Sequence, residues 1–306
     1  MAEKVLVTGV AGFIGSHVAR KLLEDGISVV GVDDLSSGKR SNIPDGVEFI
    51  QGDLSDPGVM NELPAGVKQI LHLAGQSSGE ISFDDPVLDL KKNVVSTLNL
   101  VRWGIRCGCK RFIYASSMSV YGDHDDSPAK ETDPCASLSC YGTGKLAAEH
   151  YLRVYSKQIP FVSLRMFSVY GPGQDMENMR QGMVSIFVKM AVTRGVIHVK
   201  GSLGRYRDFI CVNDVAEIWR RAVRLDGNQS YVLNVGTGIK TTVQNLLNHI
   251  RLVFPGVTFF TEGMTPGDQP GIYADTTELQ KVLGIISFTS LDAGLKTFAD
   301  WALNST

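Results

Sequence analysis

Cysteine is scarce in this chain. Five occur in 306 residues (Cys107, Cys109, Cys135, Cys140 and Cys211), and none stands in a C-x-x-C pair. Their odd number and scatter argue against a disulfide framework, and no histidine cluster accompanies them to make a zinc site. Free thiols in a reducing, cytoplasmic setting are the expectation. No apolar run approaches the ~20 residues that span a bilayer. Met1-Ala2-Glu3-Lys4 passes straight into Val5-Leu6-Val7, without the pattern of a secretory leader. The formal net charge is only −2, which gives no support to a nucleic-acid or other polyanion surface. Internal repeats and low-complexity segments are missing too. What remains is ordinary globular composition, 43% hydrophobic and 20% charged, enough for one large domain or two intimate ones.

What the chain does have is alternation. Lys4–Thr8 is a short apolar run, and Gly9-Val10-Ala11-Gly12-Phe13-Ile14-Gly15 then opens a helical pattern through Leu23. Strand, glycine turn and helix in that order are the setting of a dinucleotide fingerprint, here spaced G-x-x-G-x-x-G. Gly9 and Gly12 would let the backbone approach a pyrophosphate at the positive helix N-terminus, and Gly15 would let the helix pack closely on its strand. The next strand, Ser28–Val32, ends in Asp33, 18 residues after Gly15. That is close to the ~20-residue offset of an acid that binds ribose hydroxyls. Its charge repels a 2′-phosphate and favours NAD over NADP, although Lys39 and Arg40 follow soon after.

Further strands are expected at Val47–Gln51, Gln69–Leu73, Arg111–Ala115 and Pro160–Met166. Between them lie helical patterns, including a long one over Val87–Arg106 that carries Asn93. This alternation predicts an α/β protein with a Rossmann-type doubly wound parallel sheet. The strand at 111–115 delivers Ser116 and Ser117 at its C-terminal end, where ligands bind in such sheets. Residues 123–139 read as a surface loop. Beyond 166 the pattern is irregular, with helices near Met183–Thr193, Thr242–Phe254 and Leu291–Leu303 and strands at Val196–Lys200 and Tyr231–Val235. Another helix ends near Arg224, with Asn213-Asp214 as its expected cap.

The chemistry centres on Tyr141-Gly142-Thr143-Gly144-Lys145, at the start of a helix predicted to run to about Ser156. A Tyr and a Lys four apart on a helix point to the same side. A free tyrosine titrates near ~10, too high for a base at neutral pH. A nearby ammonium and a cationic cofactor ring would favour the phenolate, and a serine hydroxyl could share the moving proton. Tyr-x-x-x-Lys by itself is common on amphipathic helices; its weight comes from the strand-and-glycine pattern before it.

Met in order, these stretches resemble the extended short-chain dehydrogenase/reductase family, in its NAD-dependent nucleotide-sugar epimerase/dehydratase branch. The resemblance is carried by Thr8–Gly15, Asp33-Asp34-Leu35-Ser36-Ser37-Gly38, Gly52-Asp53-Leu54 and His72-Leu73-Ala74-Gly75. It continues through Ser116–Gly122, Tyr141–Lys145, Leu164–Pro172, Arg207–Ile210 and Pro266–Asp268 with Ala274-Asp275, nearly the whole chain in the family's order. It implies an NAD-binding Rossmann domain over 1–165 and 207–238, and a smaller α/β nucleotide-sugar domain over 166–206 and 239–306. It makes Tyr141 the base, Lys145 its tuning partner and ribose ligand, and Ser117 the hydroxyl partner. NAD would be held by Gly9, Gly12, Phe13, Ile14 and Gly15, by Asp33, Asp34, Ser36, Ser37 and Gly38, and by Asp53 and Leu54. Leu73, Ala74, Gly75, Asn93 and Phe167 would complete that site, with Tyr141 and Lys145.

For the substrate the resemblance implies Gln76, Ser77, Ser78, Ser117, Met118, Ser168 and Arg205, with Arg207 gripping the diphosphate and Asp268 and Ile272 beyond. Ser168 replaces a common Asn, Thr265 a common Arg, Cys140 a common Pro and Cys211 a common aromatic. Ile272, of intermediate size, stands where family members gate the C2 side of the sugar, so an N-acetyl group is allowed without being demanded. No metal is implied. A homodimer through the helices near 87–106 and 141–156 is expected.

Within the family the residues after the serine decide the reaction. Dehydratase members resemble one another in a Thr-Asp-Glu triplet, and decarboxylating members keep a Glu two places on; this chain has Ser117-Met118-Ser119. Without a second acid/base pair, elimination across C5–C6 lacks its catalyst. Oxidation and re-reduction at C4 needs only Ser117, Tyr141, Lys145 and NAD. The expectation is therefore 4-epimerisation of a UDP-hexose or UDP-N-acetylhexosamine through a transient 4-keto sugar. An NAD(P)H-dependent 4-keto-sugar reductase is the alternative. A non-catalytic NAD sensor fits less well, because Tyr141 and Lys145 are both kept.

Overall fold

The computed structural model describes residues 4–263, 270–284 and 287–304. Its centre is a seven-stranded parallel sheet built from β1 (Lys4–Thr8), β2 (Ser28–Asp33), β3 (Glu48–Gln51), β4 (Val67–His72), β5 (Arg111–Ser117) and β6 (Phe161–Met166), with a seventh strand at Tyr231–Val235. In space the order is β3-β2-β1-β4-β5-β6 and then the seventh strand, so the direction of winding reverses between β1 and β4. The C-terminal strand ends on either side of that reversal form the crevice of a doubly wound sheet.

Continuous apolar runs such as Val5-Leu6-Val7 and Phe112-Ile113-Tyr114 are buried on both faces, as parallel strands between helical layers must be. One face is covered by α1 (Phe13–Glu24) and the helix Val212–Val223, through Val18, Leu22, Val215 and Trp219. The other is covered by α3 (Ser96–Arg106) and α4 (Cys140–Tyr155), through Leu100, Trp103, Ala148 and Leu152.

Two expectations need correction. The helix expected over Val87–Arg106 is broken into α2 (Pro86–Leu90), a π-helical turn at Lys91–Val95, and α3. A π turn inserts a residue into the helical register, and here it turns Asn93 fully inward, 0% exposed. Second, Asn213-Asp214 does not cap its helix. The helix starts at Val212 after Cys211, and Asp214 instead accepts hydrogen bonds from Thr289 N (2.8 Å) and Thr289 Oγ1 (2.9 Å). By contrast, Thr242 does cap the following helix, accepting from Asn245 N at 3.1 Å.

The smaller region uses short pairings. Ser168–Tyr170 runs parallel to Phe209–Cys211, and Tyr206–Arg207 lies between Thr241–Thr242 and Gly271–Ile272. Helices Met183–Arg194, Val243–Val253 and Leu291–Asn304 enclose a separate core around Phe187, Leu246, Ile250 and Phe298. No helix among the described residues is long and apolar enough to cross a membrane.

A buried ion pair fixes α4 to the sheet. Arg165 on β6 donates from Nε and Nη2 to the Glu149 carboxylate at 3.0 and 2.7 Å, with side chains only 4% and 3% exposed. Ser163 Oγ adds a third bond at 2.9 Å, and the guanidinium lies 4.9 Å from the Tyr121 ring centre. Removing one partner strands a buried charge, at a cost of roughly 3–5 kcal/mol. Glu149→Leu should lose about that much in denaturant unfolding, and the double substitution Glu149→Leu/Arg165→Leu should recover part of it.

Candidate active site

The glycine turn is shaped by contacts that a side chain would fill. Gly9 has φ +68°, and a Cβ there would lie 2.7 Å from Ala74 N. A Cβ at Gly15 would lie 2.0 Å from Gly9 O, so Gly15 lets α1 close onto the turn itself. Gly12 is the N-cap of α1, and no side chain caps it. The first-turn amides of Phe13, Ile14 and Gly15 therefore point at a space suited to a diphosphate.

Asp33 ends β2 and is 7% exposed. Its two oxygens accept from Ala11 N (3.0 Å) and Leu35 N (2.8 Å), tying the glycine turn to the strand end. Burial pushes its pKa up against those two amides. Each oxygen keeps a lone pair that a ribose hydroxyl can use. Gly38 sits under the same turn, where a Cβ would meet the Ala11 carbonyl carbon at 2.9 Å, while Ser36 and Ser37 are exposed beside it.

The adenosine end holds a residue that the sequence reading did not single out. Lys92 Nζ lies 2.5 Å from Asp34 Oδ2 and 2.9 Å from Asp53 Oδ2, bridging the ends of β2 and β3. Asp34 also accepts from Ser36, and Asp53 from Ser55. Burial works against both carboxylates, but the bonds from Lys92 and the serines outweigh it and hold both pKa values down. Asn99 donates to the Leu54 carbonyl at 3.0 Å and so steadies the neighbour of Asp53. Periodicity could not reveal Lys92, since the π turn sets its direction.

At the other end, Thr8 Oγ1 accepts from Leu73 N and Ala74 N, both at 3.1 Å. Ser117, at the end of β5, places its hydroxyl beside Tyr141, and its Oγ accepts from Ser119 N at 3.1 Å. Ser139 caps α4 by accepting from Gly142 N at 3.1 Å, which sets Tyr141 in the first turn and Lys145 in the second. Lys145 Nζ lies 5.6 Å from the Tyr141 ring centre and 5.1 Å from that of Tyr114. Burial pushes Lys145 down to about 8. Burial also pushes Tyr141 up to about 12, opposed by the Ser117 hydroxyl. Lys145 alone therefore does not bring the tyrosine into the neutral range.

On the substrate side, Arg207 is half-buried, with its pKa pushed down to about 10 by burial and the neighbouring Arg205 charge. Asp208, 0% exposed, holds that strand by accepting from Thr237 N (2.8 Å), Thr237 Oγ1 (2.6 Å), Gly238 N (2.9 Å) and Ala274 N (3.2 Å). Ser168 donates its amide to the Asp208 carbonyl at 3.0 Å. Arg205 is anchored on its own turn, to the carbonyls of Ser202 and Lys200. Met118, Phe167 and Ile272 share one small cluster with Val120 and Tyr121. Ile272 is 0% exposed and packs inside that cluster. Gln76 folds back onto Ser78, Ser77 exchanges bonds with Gln181, and Ser78 donates to the Arg180 carbonyl. Asp268 lies outside the described residues, with Thr265, Pro266 and Gly267.

A glycine-turn crevice at the winding reversal, facing a Ser-Tyr-Lys set, defines a nucleotide-cofactor enzyme of the Rossmann class. More narrowly, the chain belongs to the NAD dependent epimerase/dehydratase family, which it matches over residues 5–236. It is 34% identical to a UDP-glucose 4-epimerase of Mycolicibacterium smegmatis, over 99% of each chain. Its fold is similar to the crystal structure of Thermotoga maritima UDP-glucose 4-epimerase with UDP-glucose, at TM-score 0.93 and 33% identity, covering 99% of both chains. It is also similar to UDP-N-acetylglucosamine 4-epimerase of Methanobrevibacter ruminantium in complex with UDP-N-acetylmuramic acid, at TM-score 0.94 and 27% identity, covering 100% of both. The cofactor is NAD.

Lys92→Met leaves Asp34 and Asp53 facing each other unneutralised. For a partly exposed bridge we expect NAD affinity to fall about 5–10-fold in calorimetric titration, with the loss shrinking as salt is added.

Proposed function

We propose that this protein is an NAD-dependent 4-epimerase of a UDP-hexose or UDP-N-acetylhexosamine, working through a transient 4-keto sugar. The observation that carries the reading is the Ser117 hydroxyl beside Tyr141, with Lys145 on the same face of α4 and no carboxylate in Met118-Ser119. NAD, when bound, accepts hydride from C4 of the sugar and gives it back. Tyr141 Oη takes the proton of the 4-hydroxyl and later returns it, and Ser117 Oγ holds that oxygen in line. Lys145 supplies positive charge beneath the phenolate and a donor for a ribose hydroxyl. Arg207, on a strand fixed by Asp208, offers its guanidinium to the diphosphate. With no second acid/base pair beside Ser117, the ketone has no route to dehydration and is reduced again from its other face.

Residues 1–165 and 207–238 would then hold NAD, and 166–206 and 239–306 the nucleotide sugar. The free cysteines suit a cytoplasmic enzyme. A homodimer through the α2–α3 and α4 helices is supported by the exposed Val87, Leu90, Tyr151 and Val154, at 62%, 52%, 42% and 72%.

NMR of UDP-hexoses and UDP-N-acetylhexosamines incubated with the purified protein should show inversion at C4 with no added reductant. Stoichiometric consumption of reduced cofactor with a 4-keto sugar, and no inversion, would make it a reductase. Tyr141→Phe should retain NAD and lose roughly 10²–10⁴-fold in kcat.

A further inference from the structure

The mechanism above uses nothing from α2, yet that helix carries a carboxylate almost without access to water. Asp89 is 1% exposed. Asp85 caps α2, accepting from Leu88 N at 2.8 Å with Pro86 in the first turn, and so fixes where Asp89 points. One of its oxygens accepts from Asn93 Nδ2 at 3.1 Å. The other approaches α4 so closely that a Cβ at Gly144 would lie 3.1 Å from it. Because a carboxylate only accepts, Asn93 must turn its amide nitrogen toward Asp89. Its Oδ1 then faces the opposite way and has no hydrogen-bond partner. A Cβ at Gly75 would meet that Oδ1 at 2.4 Å and Lys145 Nζ at 3.4 Å, so the amide oxygen and the ammonium flank the same point.

The charges around this spot are sorted. From α4 come Tyr141, Lys145 and Glu149, the last bound by Arg165. From β5 comes Tyr114, whose phenol burial keeps protonated. From β4 comes His72, which burial drives down to about 3 and so keeps neutral. Asp34 and Asp53 are engaged by Lys92. Asp89 is the anion that acts on Lys145. A buried ammonium without a counter-charge gives up its proton easily.

We propose that Asp89 is a positioning residue of the active site: it is the counter-ion that keeps Lys145 charged, and it sets the amide of Asn93 with its oxygen toward Lys145. This rests on the reading of Tyr141 and Lys145 given above. The sign of the effect is specific. A negative Asp89 favours the ammonium of Lys145 and opposes the phenolate of Tyr141. Without it, Tyr141 ionises at lower pH, and Lys145 loses its proton at lower pH too. Both limbs of the bell-shaped profile, which report the coupled pair, therefore move in the acid direction.

The test is the pH dependence of kcat/KM for the wild type and Asp89→Asn, with melting temperature and bound NAD measured alongside. Both limbs should move toward acid by roughly half to one pH unit. Carbon-13 NMR of labelled lysines should show Lys145 titrating lower by a similar amount, independently of turnover. A folded, NAD-retaining Asp89→Asn protein with wild-type limbs would overturn the proposal; a purely structural role would lower the rate without moving them. If Asp89→Asn does not fold, Asp89→Glu keeps the charge and should keep the wild-type limbs, and a shifted profile there would overturn it equally. Tyr141→Phe separates the two levels. Full activity in that variant refutes the base assignment itself, whereas an inactive Tyr141→Phe beside unmoved Asp89→Asn limbs refutes only the role of Asp89.

Discussion

The closeness of α4 to the sheet is the constraint on which the active site depends. Two of its first five residues are glycine because neighbours occupy the space of a side chain: a Cβ at Gly142 would lie 2.4 Å from Ser119 O, and one at Gly144 would run into Asp89. That approach brings Tyr141 to Ser117 and buries Lys145. It is held one turn further on by Glu149, whose carboxylate is clamped by Arg165 on β6. Tyr141, Lys145 and Glu149 lie at intervals of four, one ridge along the buried side of the helix. In the proposed mechanism its first member does chemistry and its second supplies charge, while its third anchors the ridge.

Such burial would be prohibitive if the charges were alone, and the structure distributes counter-charges one by one. Glu149 has Arg165, Lys92 has Asp34 and Asp53, and Lys145 has Asp89 at longer range. Asp208 is treated differently: four backbone and hydroxyl donors satisfy it without a cation, and it pins the strand carrying Arg207.

Much of this was legible in the sequence, for reasons that differ by element. The sheet strands are largely apolar runs of four to seven residues, and their bounds fall within two residues of expectation, with β5 running on to Ser117. Gly9, Gly12 and Gly15 announce a turn that only glycine can make. Lys92 and Asp89 stayed hidden because one lies in a π turn and the other just before it, where a single 3.6-residue period does not describe the chain. The pairings of two or three residues around Arg207 were equally invisible, since so short a strand has no periodicity to detect. Asp208 looks in the sequence like one more motif residue, because its four donors come from segments up to 66 residues away.

The two ends of the cleft are held by different physics. At the cofactor end two contacts are backbone-mediated, Asp33 on two amides and Thr8 on two more, and a third is the partly exposed Lys92 between two acids. At the sugar end, the loop after β4 reaches the chain near 180 through exposed partners. Arg180 bonds Glu80 at 2.9 Å and Asp84 at 2.7 Å, but these side chains are 42%, 55% and 58% exposed. Exposed pairs contribute little each, about 0–1 kcal/mol, so parting them costs little. A cycle in which the oxidant is regenerated each turnover needs this asymmetry, with the cofactor held and the sugar exchanged.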